Sequence, residues 1–129
     1  MSTAEVQYSD EAPHTDKEKG RQLPDPSGFR LLIALPEVSE TTEGGIYLPE
    51  ERRDAETVAS IVGFVIKAGP DAYMDKDRFP NGPWCKEGDW VVMRAYSGTR
   101  LKIHGKEFRV INDDSVEAVV DDPRGIVRV

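Results

Sequence analysis

Apolar positions along the chain come in short runs separated by turn residues, and they rarely recur at a helical period. Residues 29–35, FRLLIAL, are apolar almost throughout and predict a strand buried on most of both faces, stopped by Pro36. Residues 57–67, TVASIVGFVIK, place Val58, Val62, Phe64 and Ile66 on one face and Ala59, Ile61 and Val65 on the other, which predicts a second such strand ended by Gly69-Pro70. A third is expected over 89–96, DWVVMRAY. The turn pairs Ser97-Gly98 and His104-Gly105 then bracket short strands at 100–103 and 107–111. Asn112, Asp113, Asp114 and Ser115 carry side chains that bond nearby backbone, so one helical turn is expected there, before a last strand over 116–120. No run holds apolar residues at helical spacing for the ten or more positions a helix needs. The pattern therefore predicts an all-β domain, and strands buried on both faces belong in a barrel or sandwich.

Two stretches break this rhythm. Residues 1–25 carry Glu5, Asp10, Glu11, Asp16, Glu18 and Asp25 against Lys17, Lys19 and Arg21, with few large apolar side chains, and so predict a disordered acidic tail. The second is EVSETTEGGIYLPEE, residues 37–51, where two glycines and Ile46-Tyr47-Leu48 sit inside a polar stretch. Two readings stand. Gly44-Gly45 can be a hairpin turn, with Ile46 and Leu48 facing the core from the next strand. Alternatively the polar flanks, SETTEG before and PEERRDAE after, mark a segment that is mobile when free and orders on binding, with the apolar residues as anchors.

At 129 residues the chain has room for one core, and 32% charged with 38% hydrophobic residues is ordinary for a soluble globular protein. A net charge of −7 repels the phosphate backbone, which argues against nucleic acid as a partner. No apolar run approaches the roughly 20 residues that cross a bilayer, and the N-terminus lacks a signal-peptide layout, so the expectation is a cytoplasmic protein without membrane attachment. The one cysteine, Cys85, fits a reducing compartment.

Catalytic chemistry is sought without success. His14 lies in the expected tail and His104 in a hairpin turn, where a solvated imidazole is the better reading than a general base. Cys85 beside Trp84 reads as a half-buried structural thiol, since neither a nearby histidine nor a second cysteine completes a nucleophile or a zinc set. DKDRFPNG hints at a calcium loop, but counting from Asp75 puts Phe79, Pro80 and Lys86 where oxygen ligands and a glycine are needed. Gly44-Gly45 lacks the remaining residues of a phosphate cradle. The expectation is a protein that is not an enzyme and carries no cofactor or metal.

Several segments together resemble the GroES-type co-chaperonins, from about residue 26 to 121. PSGFRLLI, with Arg30, resembles the family's first strand; SETTEGGIYLP resembles its mobile loop; VGFVIKAGP, KEGDWVVM and YSGTRLKIHGKEFRVINDDSVEAVV follow in the family's order and spacing. The resemblance implies a small GroES-like β-barrel over 26–121, with the mobile loop at about 38–50 and a roof segment at about 70–85, between the tail of 1–25 and a C-terminal extension of 122–129. It further implies a seven-membered ring that caps a GroEL-like chaperonin and closes its folding chamber over an unfolded client, with ATP bound by the partner. Gly44, Gly45, Ile46, Tyr47 and Leu48 would bind the chaperonin. Phe29, Leu31, Ile33, Val116, Ala118 and Val120 would form the ring contact, the first strand of one subunit pairing with the last strand of the next. Tyr73, Met74 and Phe79 would belong to the roof.

This chain departs from the family in three places: a longer, more aromatic roof segment, the bulky Tyr47 within the tripeptide, and the two terminal additions. Such additions occur in virus-encoded relatives, so a divergent member is expected. Two rivals are weighed beside this reading. The barrel of a zinc-dependent medium-chain dehydrogenase would need metal-binding cysteines and a dinucleotide-binding half, and both are missing. A decoration protein, for instance of a virion, would have no reason to keep GGIYL in a polar segment.

Overall fold

The computed structural model describes residues 22–36, 58 and 60–129. Among the described residues stand the strands β1 (Arg30–Ala34), β2 (Val62–Ala68), β3 (Trp90–Met93), β4 (Thr99–Ile103) and β5 (Lys106–Asn112), the 3-10 turn Asp113–Ser115, and the strand β6 (Val116–Val120). All pairings are antiparallel, in the order β4-β5-β1-β2-β3-β6. The fold is of the all-β class that the pattern predicted, consistent with the small GroES-like barrel that the resemblance implied.

The sheet wraps a core made of Leu31, Ile33 and Leu35 with Val65, Val91, Met93, Ile111 and Val116. The opposite face carries a second cluster, in which Leu32, Ala34 and Phe108 are buried beneath Leu23, Phe64, Ile66, Leu101, Ile103 and Val110. Successive residues of β1 thus serve the two clusters in turn, and that is why its sequence is apolar without a break. Gly63 allows the tightest approach in the sheet: a Cβ there would lie 2.1 Å from Ile33 Cγ2.

Two strand limits differ from expectation. The second strand starts at Val62 and not at residue 57, because the Ile61 amide bonds back to the Val58 carbonyl (3.0 Å) and closes a turn before the ladder begins. The third ends at Met93, where the Arg94 amide donates to Ser115 O and Tyr96 takes φ +58. Residues 22–25, assigned from sequence to the tail, contact the barrel: Leu23 packs on the second cluster, and Asp25 pairs with Lys67 at 2.8 Å.

Between β2 and β3 the segment of about 70–85, expected to form the roof, packs onto the barrel. Tyr73 and Phe79 meet edge to face at 4.9 Å, Phe79 meets Trp84 likewise at 4.9 Å, and both Tyr73 and Phe79 join the main core with Cys85. Tyr73 adopts φ +60, an uncommon state for a bulky residue, and its groups explain what holds it there. Its amide donates to Asp113 Oδ2 (3.0 Å) and its hydroxyl to the Asp113 carbonyl (2.8 Å), with the Cys85 thiol 3.3 Å away. The segment is locked to the turn before β6.

Candidate functional site

The residues expected to bind a partner, Gly44, Gly45, Ile46, Tyr47 and Leu48, lie outside the described residues; the two points where segment 37–57 leaves and rejoins the barrel lie inside or beside them. At the exit, the Leu35 amide donates to the Glu107 carbonyl at 3.1 Å, one residue before Pro36. At the return, the Ser60 carbonyl accepts from Arg109 Nη1 at 2.7 Å and from the Tyr96 amide at 3.4 Å. Glu107 and Arg109 both belong to β5. One strand therefore fixes both roots of the segment.

Arg109 is the residue that sequence reasoning missed. It is 1% exposed, and it stands on the core face of β5, opposite Ile33 of β1 and two residues from Ile111. The alternation in KEFRVIN places it there, so the signal was present, but charged side chains are so seldom buried that alternation alone does not single it out. Its guanidinium is satisfied by oxygens alone: Nε and Nη2 donate to the Ser97 carbonyl at 2.9 and 2.6 Å, and Nη2 also reaches Ser97 Oγ at 3.1 Å and Arg94 O at 3.4 Å. Burial pushes its pKa down, with Arg100 on β4 adding a smaller repulsion.

The expected ring residues divide. Phe29 is 39% exposed, with the Arg30 guanidinium over its ring. Ala118 and Val120 lie on β6, at the end of the sheet order, where Ala118 and Val119 are exposed. Leu31, Ile33 and Val116, also expected at the ring contact, have side chains that fill this chain's own core at 3% exposure or less. Strand β1 is also paired on both sides, with β2 and β5, so residues 30–34 have no free ladder to offer a neighbour. In the roof set, Met74 is exposed at 66%, whereas Tyr73 and Phe79 are buried and serve as packing.

Cys85, expected to be half buried, is buried, and desolvation raises its thiol pKa. His104 lies at the tip of the β4–β5 hairpin, exposed, in contact with Gln22. Among the described residues no group of three or more His, Cys, Asp or Glu side chains could hold a metal ion, and no helix is long and apolar enough to cross a membrane.

The family model for the chaperonin 10 kDa subunit matches residues 25–120, a span that includes both roots, the segment between them and the roof. Among curated proteins, the chain is 35% identical over 97 residues to the Co-chaperonin GroES of Caldicellulosiruptor saccharolyticus, covering 75% of this chain and 96% of that protein. It is 34% identical over 92 residues to the Co-chaperonin GroES of Corynebacterium diphtheriae (71% and 88% covered), and 31% identical over 96 residues to that of Methylacidiphilum infernorum (74% and 92%). With the family model matching residues 25–120 and these relatives covered over 88–96% of their length at 31–35% identity, the chain belongs to the chaperonin 10 kDa subunit family, the GroES-type co-chaperonins.

Proposed function

We propose that this co-chaperonin subunit assembles into a seven-membered ring that caps a GroEL-like chaperonin in the cytoplasm, captures it through Gly44, Gly45, Ile46, Tyr47 and Leu48 in the loop of about 38–50, and closes the chamber in which a client protein folds. ATP is bound and hydrolysed by the chaperonin, so the subunit needs no cofactor and performs no catalysis. The observation that carries this reading is the anchoring of both ends of the segment on β5, within a barrel that the family model matches end to end. A rigid base with a long polar insertion suits a binding element tethered in several copies.

The energetics suit reversible capture. Ordering about ten residues costs on the order of 1 kcal/mol or more each, which weakens any single copy. Several tethered copies restore strong binding through high effective concentration, while leaving it sensitive to a change in the partner. Ile46 and Leu48 are the anchors: two positions apart, they point the same way in an extended segment, and each contributes roughly 1.5 to 3 kcal/mol when buried in an apolar groove.

The ring contact is assigned to the outer edge of β6, with the chain leading into β1, around Phe29, reaching it from the neighbour. This uses the one part of the original expectation that the sheet leaves accessible.

Replacing Ile46 and Leu48 together by serine tests the reading. The expected outcome is an unchanged melting temperature and loss of ATP-dependent binding to a chaperonin ring. A fall of several kcal/mol in stability would instead show that the tripeptide is core.

A further inference from the structure

We infer that Arg109 is a positioning residue for chaperonin capture, clamping the root at which segment 37–57 re-enters the barrel. The inference rests on the reading of that segment as the recognition element, and it assigns the control of that element to a residue outside it.

Position 109 belongs to the core face, next to Ile111 and across from Ile33. An apolar side chain would meet the packing need there, and replacing a buried charge by a well-packed apolar residue is often neutral or stabilising. A guanidinium at 1% exposure with no carboxylate on it among the described residues is the costly choice for packing alone. What it adds is connection. Its planar fork joins Ser60, at the return of the segment, to Arg94 and Ser97, which close the turn between β3 and β4. These backbone groups belong to chain segments far apart in sequence, and the Tyr96 amide on the same Ser60 carbonyl links them once more. The exit root is held two residues away on the same strand, by Glu107 O.

The distance between the two roots is thus set from one strand. Without the clamp, the return root keeps its backbone bonds, from the Tyr96 amide to Ser60 O and from the Met93 amide to Ile61 O, but its hold on the β3–β4 turn loosens. The binding residues then sample more positions, and the effective concentration they present falls. A small loss in each copy multiplies over every copy that engages. Lysine cannot replace this function, since a single ammonium does not bridge carbonyls in a fixed plane.

The test compares wild type, Arg109→Met and Arg109→Lys by amide hydrogen exchange, ring sedimentation and ATP-dependent binding to a chaperonin ring, all well below the melting temperature. The expected result for both variants is faster exchange of the Tyr96 amide with the centre of β1 and β2 unchanged, intact rings, and an apparent affinity lower by about tenfold. Folded, ring-forming variants that bind within twofold of wild type would overturn the inference, as would exchange that accelerates evenly across the barrel. If Arg109→Met does not fold, Arg109→Lys carries the same comparison. Failure of the inference remains distinct from failure of the underlying reading: continued binding by the Ile46→Ser, Leu48→Ser protein refutes the segment's role, while local exchange at Tyr96 still reports on the clamp.

Discussion

At Tyr73 three demands meet in one residue: an uncommon backbone angle, an aromatic contact with Phe79, and two hydrogen bonds to Asp113, one from the amide and one from the hydroxyl, while Asp113 Oδ1 is buried without a partner among the described residues. Deleting the hydroxyl leaves the ring packing intact but strands the Asp113 carbonyl, so Tyr73→Phe is expected to cost about 1–3 kcal/mol in urea unfolding at pH 7. The direction with pH follows from burial, which raises both the Tyr73 phenol and the Cys85 thiol. Groups held protonated by the fold contribute stability fully below their unfolded pKa values, roughly 8.5 for a thiol and 10 for a phenol, and lose it as pH rises beyond them. Stability should therefore fall as pH climbs above about 8.5, and the fall above about pH 10 should be shallower in Tyr73→Phe. Unfolding curves that keep the same alkaline slope in the variant would contradict this account of Tyr73.

Elements were largely legible from alternation and turn residues, because β1 and β2 are apolar on both faces and each turn contains residues that favour it. β4, β5, β6 and the single helical turn before Val116 all fall within a residue or so of expectation. What the pattern could not show were contacts made across the sheet. The register of β1 on β2 shifts between Leu32 and Ile33, and no local signal marks such an irregularity. Arg109 falls on the core face by alternation yet carries a charge, and Asp113 reads as a turn residue; both are interior because oxygens or amides from distant segments satisfy them. Which strand stands at an edge depends on sheet order, and order is not written in any single run. With β1 enclosed, Val119 on β6 is the informative position, being 45% exposed on an edge strand. Val119→Lys places a charge at that edge, as natural edge strands do to discourage pairing. The expected outcome is a ring that dissociates in sedimentation at concentrations where wild type stays assembled, with circular dichroism of the subunit unchanged.

At the scale of the molecule, the subunit buries two modest clusters on the two sides of one sheet and leaves the edge of β6 with exposed apolar residues. An oligomer that covers such an edge stabilises the folded state by mass action, because only folded subunits assemble. If unfolding of the chain is coupled to dissociation of a seven-membered ring, a tenfold rise in subunit concentration stabilises each subunit by about six-sevenths of 1.4 kcal/mol, or roughly 1.2 kcal/mol. For a domain of this size that corresponds to an increase of about 4–5 °C in the apparent melting temperature per decade of concentration. The charge of −7 per subunit opposes assembly through self-repulsion, so the same shift should begin at lower protein concentration when salt screens it. Calorimetry over two decades of concentration, at low and high ionic strength, checks both statements. A melting temperature independent of concentration, in a protein that sedimentation shows to be assembled throughout, would mean that the barrel holds itself together and that the β6 edge contributes to capture geometry alone.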